Sequence, residues 1–252
     1  MSLSRGIRLQ VFLARAGIAS RRAAEKMITE GRVLVNDCVV SELGTLVNPE
    51  SDEIRVDRKL VLERQRKVYL LFNKPKQCVT TLHDPQGRRT VLDFIMDREE
   101  RLFPVGRLDY DAEGLLLLTN DGPLAHRLQH PRYGVPKTYE VKVKGHPSDG
   151  SLRKLRSGVA LSEGITGPAE FQSMRALPGA SWLKVVLHQG WYRQIKRMCE
   201  AVGHPVLKIK RVAYGPLKLG NLRPGTYRPL NRDEVAGLYR HVQLVDEQVP
   251  SQ

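Results

Sequence analysis

The chain has 252 residues, of which 41% are apolar and 27% are charged, and its formal net charge is +14. This composition is typical of a globular protein large enough for two domains, and the positive charge favours polyanionic partners. No apolar run approaches the roughly 20 residues of a membrane span, and residues 1–6 lack the apolar segment of a signal peptide. We therefore expect a cytoplasmic protein without a membrane partner.

The cysteines and histidines give no pattern of metal ligands. Cys38, Cys78 and Cys199 are isolated in the sequence, which is typical of reduced thiols rather than of disulfides or a zinc site. Ligand spacing is also absent among the histidines, which are His83, His126, His130, His146, His188, His204 and His241. The sequence therefore predicts no metal and no other cofactor.

The positive charge is distributed unevenly. Residues 1–66 carry 12 Lys and Arg against 9 Asp and Glu, whereas residues 67–252 carry 29 against 18. The surplus lies mainly in the larger C-terminal part, which is therefore expected to contact a polyanion itself.

The N-terminal segment predicts two short helices followed by strands. Leu9, Phe12, Leu13 and Ala16 have helical spacing, and Gly17 can end that helix. Ser20 is a suitable N-cap for a second helix. Its expected buried stripe and terminating glycine are Ala23, Ala24, Met27, Ile28 and Gly31. Strands are predicted at 33–35, 38–40 and 54–56, the first two joined by the turn pair Asn36-Asp37.

Arg21 and Arg22 occupy the first turn of the second helix, where cations oppose the helix dipole. Their placement favours a bound phosphate, because helix N-termini attract anions. The alternative is two solvated arginines at a tolerated cost.

Ala-Gly-Ile-Ala-Ser-Arg-Arg between two helices, followed by Gly-Arg-Val-Leu-Val-Asn, resembles the alpha-L RNA-binding motif. The resemblance covers about fifty residues and implies RNA binding rather than a particular reaction. The residues that it implies as RNA-facing are Arg8, Arg15, Ser20, Arg21, Arg22, Lys26 and Arg32.

Residues 58–67 lose apolar periodicity and accumulate charge. We predict an RNA-binding domain at 7–60, a linker at 61–67 and a catalytic domain at 68–241. The second domain begins with a strand at 68–72 that ends near Pro75. The turn-rich basic loop at 80–89 is either a solvated surface loop or a contact to the RNA backbone.

Gly106-Arg107-Leu108-Asp109 precedes Gly114 and four consecutive leucines. An apolar run this short, closed by Asn-Asp-Gly, predicts a buried strand. Asp109 therefore lies where a loop joins the core, a common position for a catalytic group. From spacing alone, however, an ordinary turn or capping aspartate is the favoured interpretation.

Gly-Arg-Leu-Asp with the Gly-Leu-Leu-Leu-Leu-Thr-Asn-Asp-Gly run resembles the signature of RNA pseudouridine synthases of the RsuA, RluB, RluE and RluF branch. The resemblance extends over residues 7–240. It implies that Asp109 is the catalytic residue and that Arg107 helps to hold an everted nucleotide.

Asp121-Gly122-Pro123 predicts a helix start, and residues 137–144 alternate as a strand. The pattern alone makes Tyr139 a core residue. The resemblance instead implies, from Lys-x-Tyr, that Tyr139 stacks on the target base, a contact that requires no particular sequence.

Ile195, Met198, Cys199 and Val202 predict the buried face of a further helix. Seven cations and one anion lie between Arg193 and Lys218, which indicates a phosphate-binding surface rather than only a solvated face. By resemblance, Lys196 pairs with the catalytic aspartate and Ile209 packs near the target uracil. The other RNA-binding candidates in this region are Arg193, Arg197 and Arg211.

The predicted fold is α+β, with a small N-terminal α/β RNA-binding domain followed by a catalytic domain whose mixed, largely antiparallel sheet is flanked by helices. The resemblance implies a cofactor-free synthase that converts a uridine of ribosomal RNA to pseudouridine, with large-subunit RNA preferred. We expect a monomer. The alternatives are a small-subunit synthase, which the lysine at 196 favours, and a non-catalytic RNA-binding protein of ribosome assembly.

Overall fold

The computed structural model describes residues 6–62, 66–95 and 100–244. The chain divides near residue 68 into a smaller N-terminal unit and a larger C-terminal unit. The domain limits given above remain predictions, and residues 63–65 of the predicted linker lie outside the described residues. Val61, also assigned to the linker, is buried in the core of the N-terminal unit.

The N-terminal unit combines two helices with short antiparallel strands. Strands β2, β3, β5 and β6 form a sheet in the order β3-β2-β5-β6, and β1 pairs with β4. The elements are β1 (Ile7–Arg8), α1 (Leu9–Arg15), α2 (Arg21–Thr29), β2 (Val33–Val35), β3 (Cys38–Val40), β4 (Leu46–Val47), β5 (Ile54–Val56) and β6 (Lys59–Leu60).

Local sequence explains the ends of these elements. The Ser20 side chain accepts a hydrogen bond from the Ala23 amide at 3.1 Å and so caps α2 as predicted. Ala24 and Ile28 are buried, but Ala23 is exposed. Its place in the predicted buried stripe was wrong because the apolar face of this short helix is narrower than the spacing indicated.

The C-terminal unit is built on a nine-stranded sheet with the main order β13-β14-β10-β15-β9-β7-β17. Its neighbours are antiparallel except β9 and β15, which run parallel. Its nine strands are β7 (Tyr69–Lys74), β8 (Phe103–Pro104), β9 (Glu113–Thr119), β10 (Lys137–Lys144), β13 (Glu170–Leu177), β14 (Ala180–Leu187), β15 (Val206–Tyr214), β16 (Leu217–Lys218) and β17 (Tyr227–Pro229). Strands β11 (Ala160–Leu161) and β12 (Gly164–Ile165) form a separate two-stranded sheet.

Four α-helices accompany this sheet among the described residues: α3 (Gly122–Gln129), α4 (Asp149–Ser157), α5 (Gln194–Ala201) and α6 (Arg232–His241). Two short 3-10 helices, Leu92–Phe94 and Pro131–Tyr133, lie between strands. Asp121 caps α3 by accepting from the Leu124 amide, and Asn231 with Glu234 forms a capping box at α6. Leu124, Leu128 and Leu238 are buried in a core shared with Leu115 and Leu117 of β9.

The four-leucine strand is confirmed: each residue from Leu115 to Leu118 is fully buried. The α+β class and the mixed, largely antiparallel sheet are confirmed as well. Strand β13 was not predicted, because most of its side chains are exposed and its sequence lacks a clear alternation. Within the described residues, no helix is long and apolar enough to cross a membrane.

Candidate active site

A cleft of about 770 Å³ opens in the C-terminal unit, and its walls come from several separate stretches of the chain. Asp109, Tyr139 and Lys196, the three predicted catalytic residues, all line it. Four of the predicted RNA-binding residues line it too, namely Arg107, Arg193, Ile209 and Arg211. A cavity of this volume is in the range that accommodates a nucleotide-sized ligand.

The loop that carries Asp109 is fixed by hydrogen bonds from the neighbouring segment. Thr80 donates its hydroxyl to the Leu108 carbonyl at 2.8 Å and accepts from the Leu108 amide at 3.2 Å. The Gln77 amide donates to the Tyr110 carbonyl at 2.8 Å. The backbone on both sides of Asp109 is therefore fixed by hydrogen bonds that do not involve the Asp109 side chain.

Lys74, at the end of β7, strengthens this support. Its ammonium group is fully buried and donates to the carbonyls of Pro75, Asp109 and Ala112 at 3.0, 3.0 and 2.8 Å. Burial lowers the pKa of Lys74 to about 8, although nearby acidic groups oppose this. Lys74 thus joins the sheet to the Asp109 loop through the carbonyls of Asp109 and Ala112.

Lys196, in α5, interacts with two carboxylates. Its Nζ lies 3.4 Å from Asp109 Oδ2 and also donates to the carboxylate of Asp111. The Lys196 side chain is only 11% exposed, against 36% for Asp109 and 63% for Asp111. Partial burial alone would raise the pKa of Asp111, but the hydrogen bond and charge of Lys196 outweigh it and lower that pKa.

Tyr139 and Arg211 are directly paired across β10 and β15, as are Val141 and Ile209. Side chains of directly opposed residues lie on the same face of a sheet, so Tyr139, Ile209 and Arg211 together form part of the cleft wall. Arg211 is 2% exposed. Strand alternation turns it inward with Ile209, so it lines the buried wall of the cleft. Its predicted role in RNA binding stays a prediction.

The rim of the cleft is more polar and more open. Arg107 and Arg193 are exposed there, beside the exposed rings of Tyr110 and Tyr192. Arg193 adopts a left-handed backbone conformation with φ of 49° immediately before α5. This rim combines cations with aromatic faces, the pairing that single-stranded nucleic acids bind.

The predicted cationic surface between Arg193 and Lys218 is partly neutralised. Arg197 donates to Glu163 at 2.7 Å and does not line the cleft. Lys208 forms an ion pair with Glu113 at 3.0 Å. The prediction overestimated the free charge because the partner carboxylates lie far away in the sequence.

The seven predicted RNA-facing residues of the N-terminal unit lie in its two helices or close to their ends, with Arg8 in β1. Arg8, Arg21, Arg22, Lys26 and Arg32 are exposed, and Arg15 and Ser20 are half-buried. Arg32 donates to Asp57 at 2.6 Å, and the Ser20 hydroxyl is used in capping. Arg21 and Arg22 lie in the first turn of α2 as predicted.

Sequence reasoning missed three residues of the site: Lys74, Asp111 and Lys137. Of these, Lys137 lines the cleft. A lysine that ends a buried apolar strand, as in Tyr69–Lys74, is a signal that could have indicated Lys74. Asp111 follows Asp109 by two residues in the same turn. The shared partner of these two carboxylates is visible only in three dimensions.

A nucleotide-sized cleft that contains a carboxylate, a lysine and a tyrosine, in a chain with a net charge of +14, is the arrangement expected of an enzyme that acts on nucleic acid. The family model described as RNA pseudouridylate synthase matches residues 68–201, and the S4 domain model matches residues 7–54. The chain belongs to the RNA pseudouridylate synthase family, as the sequence motifs predicted. The alternative of a non-catalytic RNA-binding protein is therefore rejected.

Relatives support this assignment over nearly the whole chain. A protein of Aquifex aeolicus named as an RNA pseudouridine synthase is 47% identical over 239 residues, which cover 94% of this chain and 96% of the relative. The ribosomal large subunit pseudouridine synthase B of Bacillus subtilis is 47% identical over 233 residues, covering 92% and 95%. A crystal structure of a pseudouridylate synthase matches with a TM-score of 0.66 and 30% identity, covering 92% of this chain and 99% of that one.

Metal ligands are not clustered in the described part of the chain: no group of three or more His, Cys, Asp or Glu side chains could hold an ion there.

Proposed function

We propose that this synthase isomerises one uridine of large-subunit ribosomal RNA to pseudouridine, with Asp109 as the nucleophile. The observation that carries the proposal is the ion pair between Asp109 and Lys196 in a cleft that Tyr139 also lines. A carboxylate nucleophile must be ionised, and an adjacent cation favours the ionised form. The choice of large-subunit RNA is supported by the name of the Bacillus subtilis relative.

The target uridine must leave its stack to reach the cleft, as bases do in other base-modifying enzymes. The ring of Tyr139 then lies against the uracil, and Ile209 packs beside it. Arg107, exposed at the rim, holds the RNA backbone or the vacated stack.

The reaction is a balanced rearrangement. The bond from C1′ to N1 breaks with assistance from Asp109, and the uracil turns within the cleft. A bond from C1′ to C5 then forms, C5 loses its proton and N1 gains one. Tyr139 can accept a proton in this sequence. Substrate and product have the same composition, so the reaction needs no external oxidant or leaving group.

Binding of the larger RNA is assigned to two surfaces. The first is the cleft rim with Arg107 and Arg193, and the second is the N-terminal unit with Arg21, Arg22 and the other residues named above. Helix N-termini favour phosphate, which supports a phosphate contact at Arg21 and Arg22. We assign the enzyme to the cytoplasm, where ribosomal RNA is available in bacteria, and expect a monomer.

Small-subunit RNA is the second candidate substrate. The residue that favours it is Lys196, because the resemblance associates a lysine at this position with the small-subunit enzymes. A lysine keeps the charge of an arginine but lacks its bidentate fork.

The two substrates can be separated with unmodified transcripts of large- and small-subunit ribosomal RNA. Each is incubated with the purified protein, and pseudouridines are mapped at nucleotide resolution. We expect one new pseudouridine, in the large-subunit transcript. Modification of the small-subunit transcript alone would reverse the assignment, and a pseudouridine map from a strain lacking the protein provides the matched cellular control.

A further inference from the structure

Arg211 has an unused hydrogen-bond donor deep in the cleft wall. Its Nε donates to the Leu115 carbonyl at 2.7 Å, which fixes the guanidinium. Its Nη2 is buried and has no hydrogen-bond partner among the residues that the structure describes. A charged donor is costly to bury without an acceptor, so this atom marks a position where a ligand oxygen is expected.

The backbone around Arg211 is fixed as firmly as its side chain. Gly114 pairs with Arg211 across the parallel strands, and a Cβ at Gly114 would lie 2.2 Å from the Arg211 carbonyl oxygen. Only glycine permits this approach. The Arg211 backbone therefore cannot shift easily to bring the guanidinium group to another acceptor.

Lys137 adds a second cation beside Arg211. Its Nζ lies 5.6 Å from the centre of the Tyr214 ring, and the Arg211 guanidinium lies 5.2 Å from the same centre. Burial, and secondarily the charge of Arg211, lowers the pKa of Lys137 to about 8. Neither cation forms an ion pair with a carboxylate in the described part of the chain.

The position of Arg211 favours a contact with the target base rather than with the RNA backbone. Arg211 is directly opposite Tyr139 on the neighbouring strand, and Tyr139 is the residue assigned to stack on the uracil. The exposed cations Arg107 and Arg193 lie at the rim instead, where a phosphate can stay hydrated. A buried donor beside the stacking ring is suited to a carbonyl oxygen of the base.

We propose that Arg211, supported by Lys137, binds a carbonyl oxygen of the target uracil and stabilises the negative charge that the ring acquires during the reaction. This proposal rests on the function proposed above. Whether the nucleophile attacks the sugar or the ring, electrons accumulate on the ring nitrogen and carbonyl oxygens. They return when the C1′–C5 bond forms, the C5 proton leaves and N1 takes up a proton.

Preorganised donors in a site that excludes water stabilise such developing charge more strongly than water does. Removal of one donor of this kind typically lowers kcat by about 10²- to 10³-fold. We therefore expect Arg211→Gln to lower kcat by about this factor, with KM and RNA affinity changed by less than about threefold. Arg211→Lys, which keeps the charge, should recover part of the loss.

The matched control is Lys184→Gln, which removes an exposed cation from β14 of the same sheet and should leave kcat unchanged. Thermal unfolding of each variant is measured alongside. A loss of RNA affinity at unchanged kcat would overturn the proposal and assign Arg211 to backbone binding. Equal losses in Arg211→Gln and Arg211→Lys, in step with lowered thermal stability, would overturn it in favour of a structural role.

Substrates with sulfur in place of one carbonyl oxygen give a second test that does not depend on folding. We use RNA carrying 2-thiouridine or 4-thiouridine at the target position. If Arg211 contacts one of these oxygens, the thio substitution at that oxygen slows the wild type at least about fivefold more than it slows Arg211→Gln. Equal slowing of both proteins at both positions would refute the contact. Absence of pseudouridine from wild-type reactions with ordinary uridine would instead refute the proposed function.

Discussion

Asp111 is expected to position Lys196 for Asp109, and Asp111→Ala tests this role. Lys196 carries one compact charge, which it shares between the two aspartates. Without Asp111, the ammonium loses one of its two anchors and samples positions away from Asp109. An arginine at position 196 would depend less on Asp111, because its planar fork can bind one carboxylate through two donors.

The geometry sets the size of the effect. Two unit charges at the 3.4 Å separation of Lys196 and Asp109 interact by about 5 kcal/mol at an effective dielectric constant near 20, and by about 1 kcal/mol in water. The Asp109 and Asp111 side chains are 36% and 63% exposed, so the interaction energy is expected to be close to the value in water. A loss of about 1–1.5 kcal/mol corresponds to about a tenfold lower rate.

The assay is single-turnover pseudouridine formation with enzyme in excess over RNA, for four proteins. These are the wild type, Asp111→Ala, Lys196→Arg and the double variant. We expect Asp111→Ala to slow the wild type about tenfold but to slow Lys196→Arg only about twofold, a coupling free energy of about 1 kcal/mol. Equal slowing in both backgrounds would refute the positioning role, and so would an unchanged rate for Asp111→Ala.

Three further predictions concern the support of the site. Lys74→Met should lower the free energy of unfolding at pH 7 by about 2–3 kcal/mol, because the three carbonyls that the buried ammonium group contacts lose their donor. Urea denaturation measures this, and an unchanged midpoint would contradict it. The difference in free energy of unfolding between the wild type and Lys74→Met should then grow by about 1.4 kcal/mol per pH unit between about pH 8 and pH 10. In this range folded Lys74, with a pKa of about 8, has released its proton, whereas an unfolded lysine, with a pKa near 10.4, keeps it. A pH-independent difference would refute that assignment. Gly114→Ala should lower the free energy of unfolding by at least about 3 kcal/mol, because its Cβ would lie 2.2 Å from the Arg211 carbonyl oxygen. The matched variant Gly106→Ala, whose Cβ would have no atom of the described residues within 4 Å, should lower it by only about 1 kcal/mol. Equal losses would contradict the close approach.

The parts of the fold that the sequence predicted have strong local signals. Four leucines between turn residues indicate a buried strand whatever surrounds them, and β9 is that strand. Ser20 caps α2 as predicted, and the helix predicted from Asp121-Gly122-Pro123 begins there, because a helix start depends on only three or four residues. Strand β13 has no such signal, because most of its side chains are exposed. It is held in place mainly by its pairing with β14, which the local sequence does not reveal.

The site was predictable only in part, for a similar reason. Motif resemblance indicated Asp109, Tyr139 and Lys196, and the structure brings all three to one cleft. Strand alternation could have indicated that Arg211 shares a buried face with Ile209, but the density of charge in that segment indicated only a phosphate-binding surface. The roles of Lys74 and Asp111 depend on backbone carbonyls and on a lysine brought together only by folding.

The central claim is that Asp109 performs the chemistry in this cleft, and release of tritium from C5 of uridine measures it most directly. Unmodified ribosomal RNA labelled at C5 is incubated with the wild type, with Asp109→Asn and with the exposed control Asp149→Asn. We expect release by the wild type and by the control, and none above background by Asp109→Asn, although that variant still binds the RNA. Release by Asp109→Asn at the wild-type rate would contradict the account.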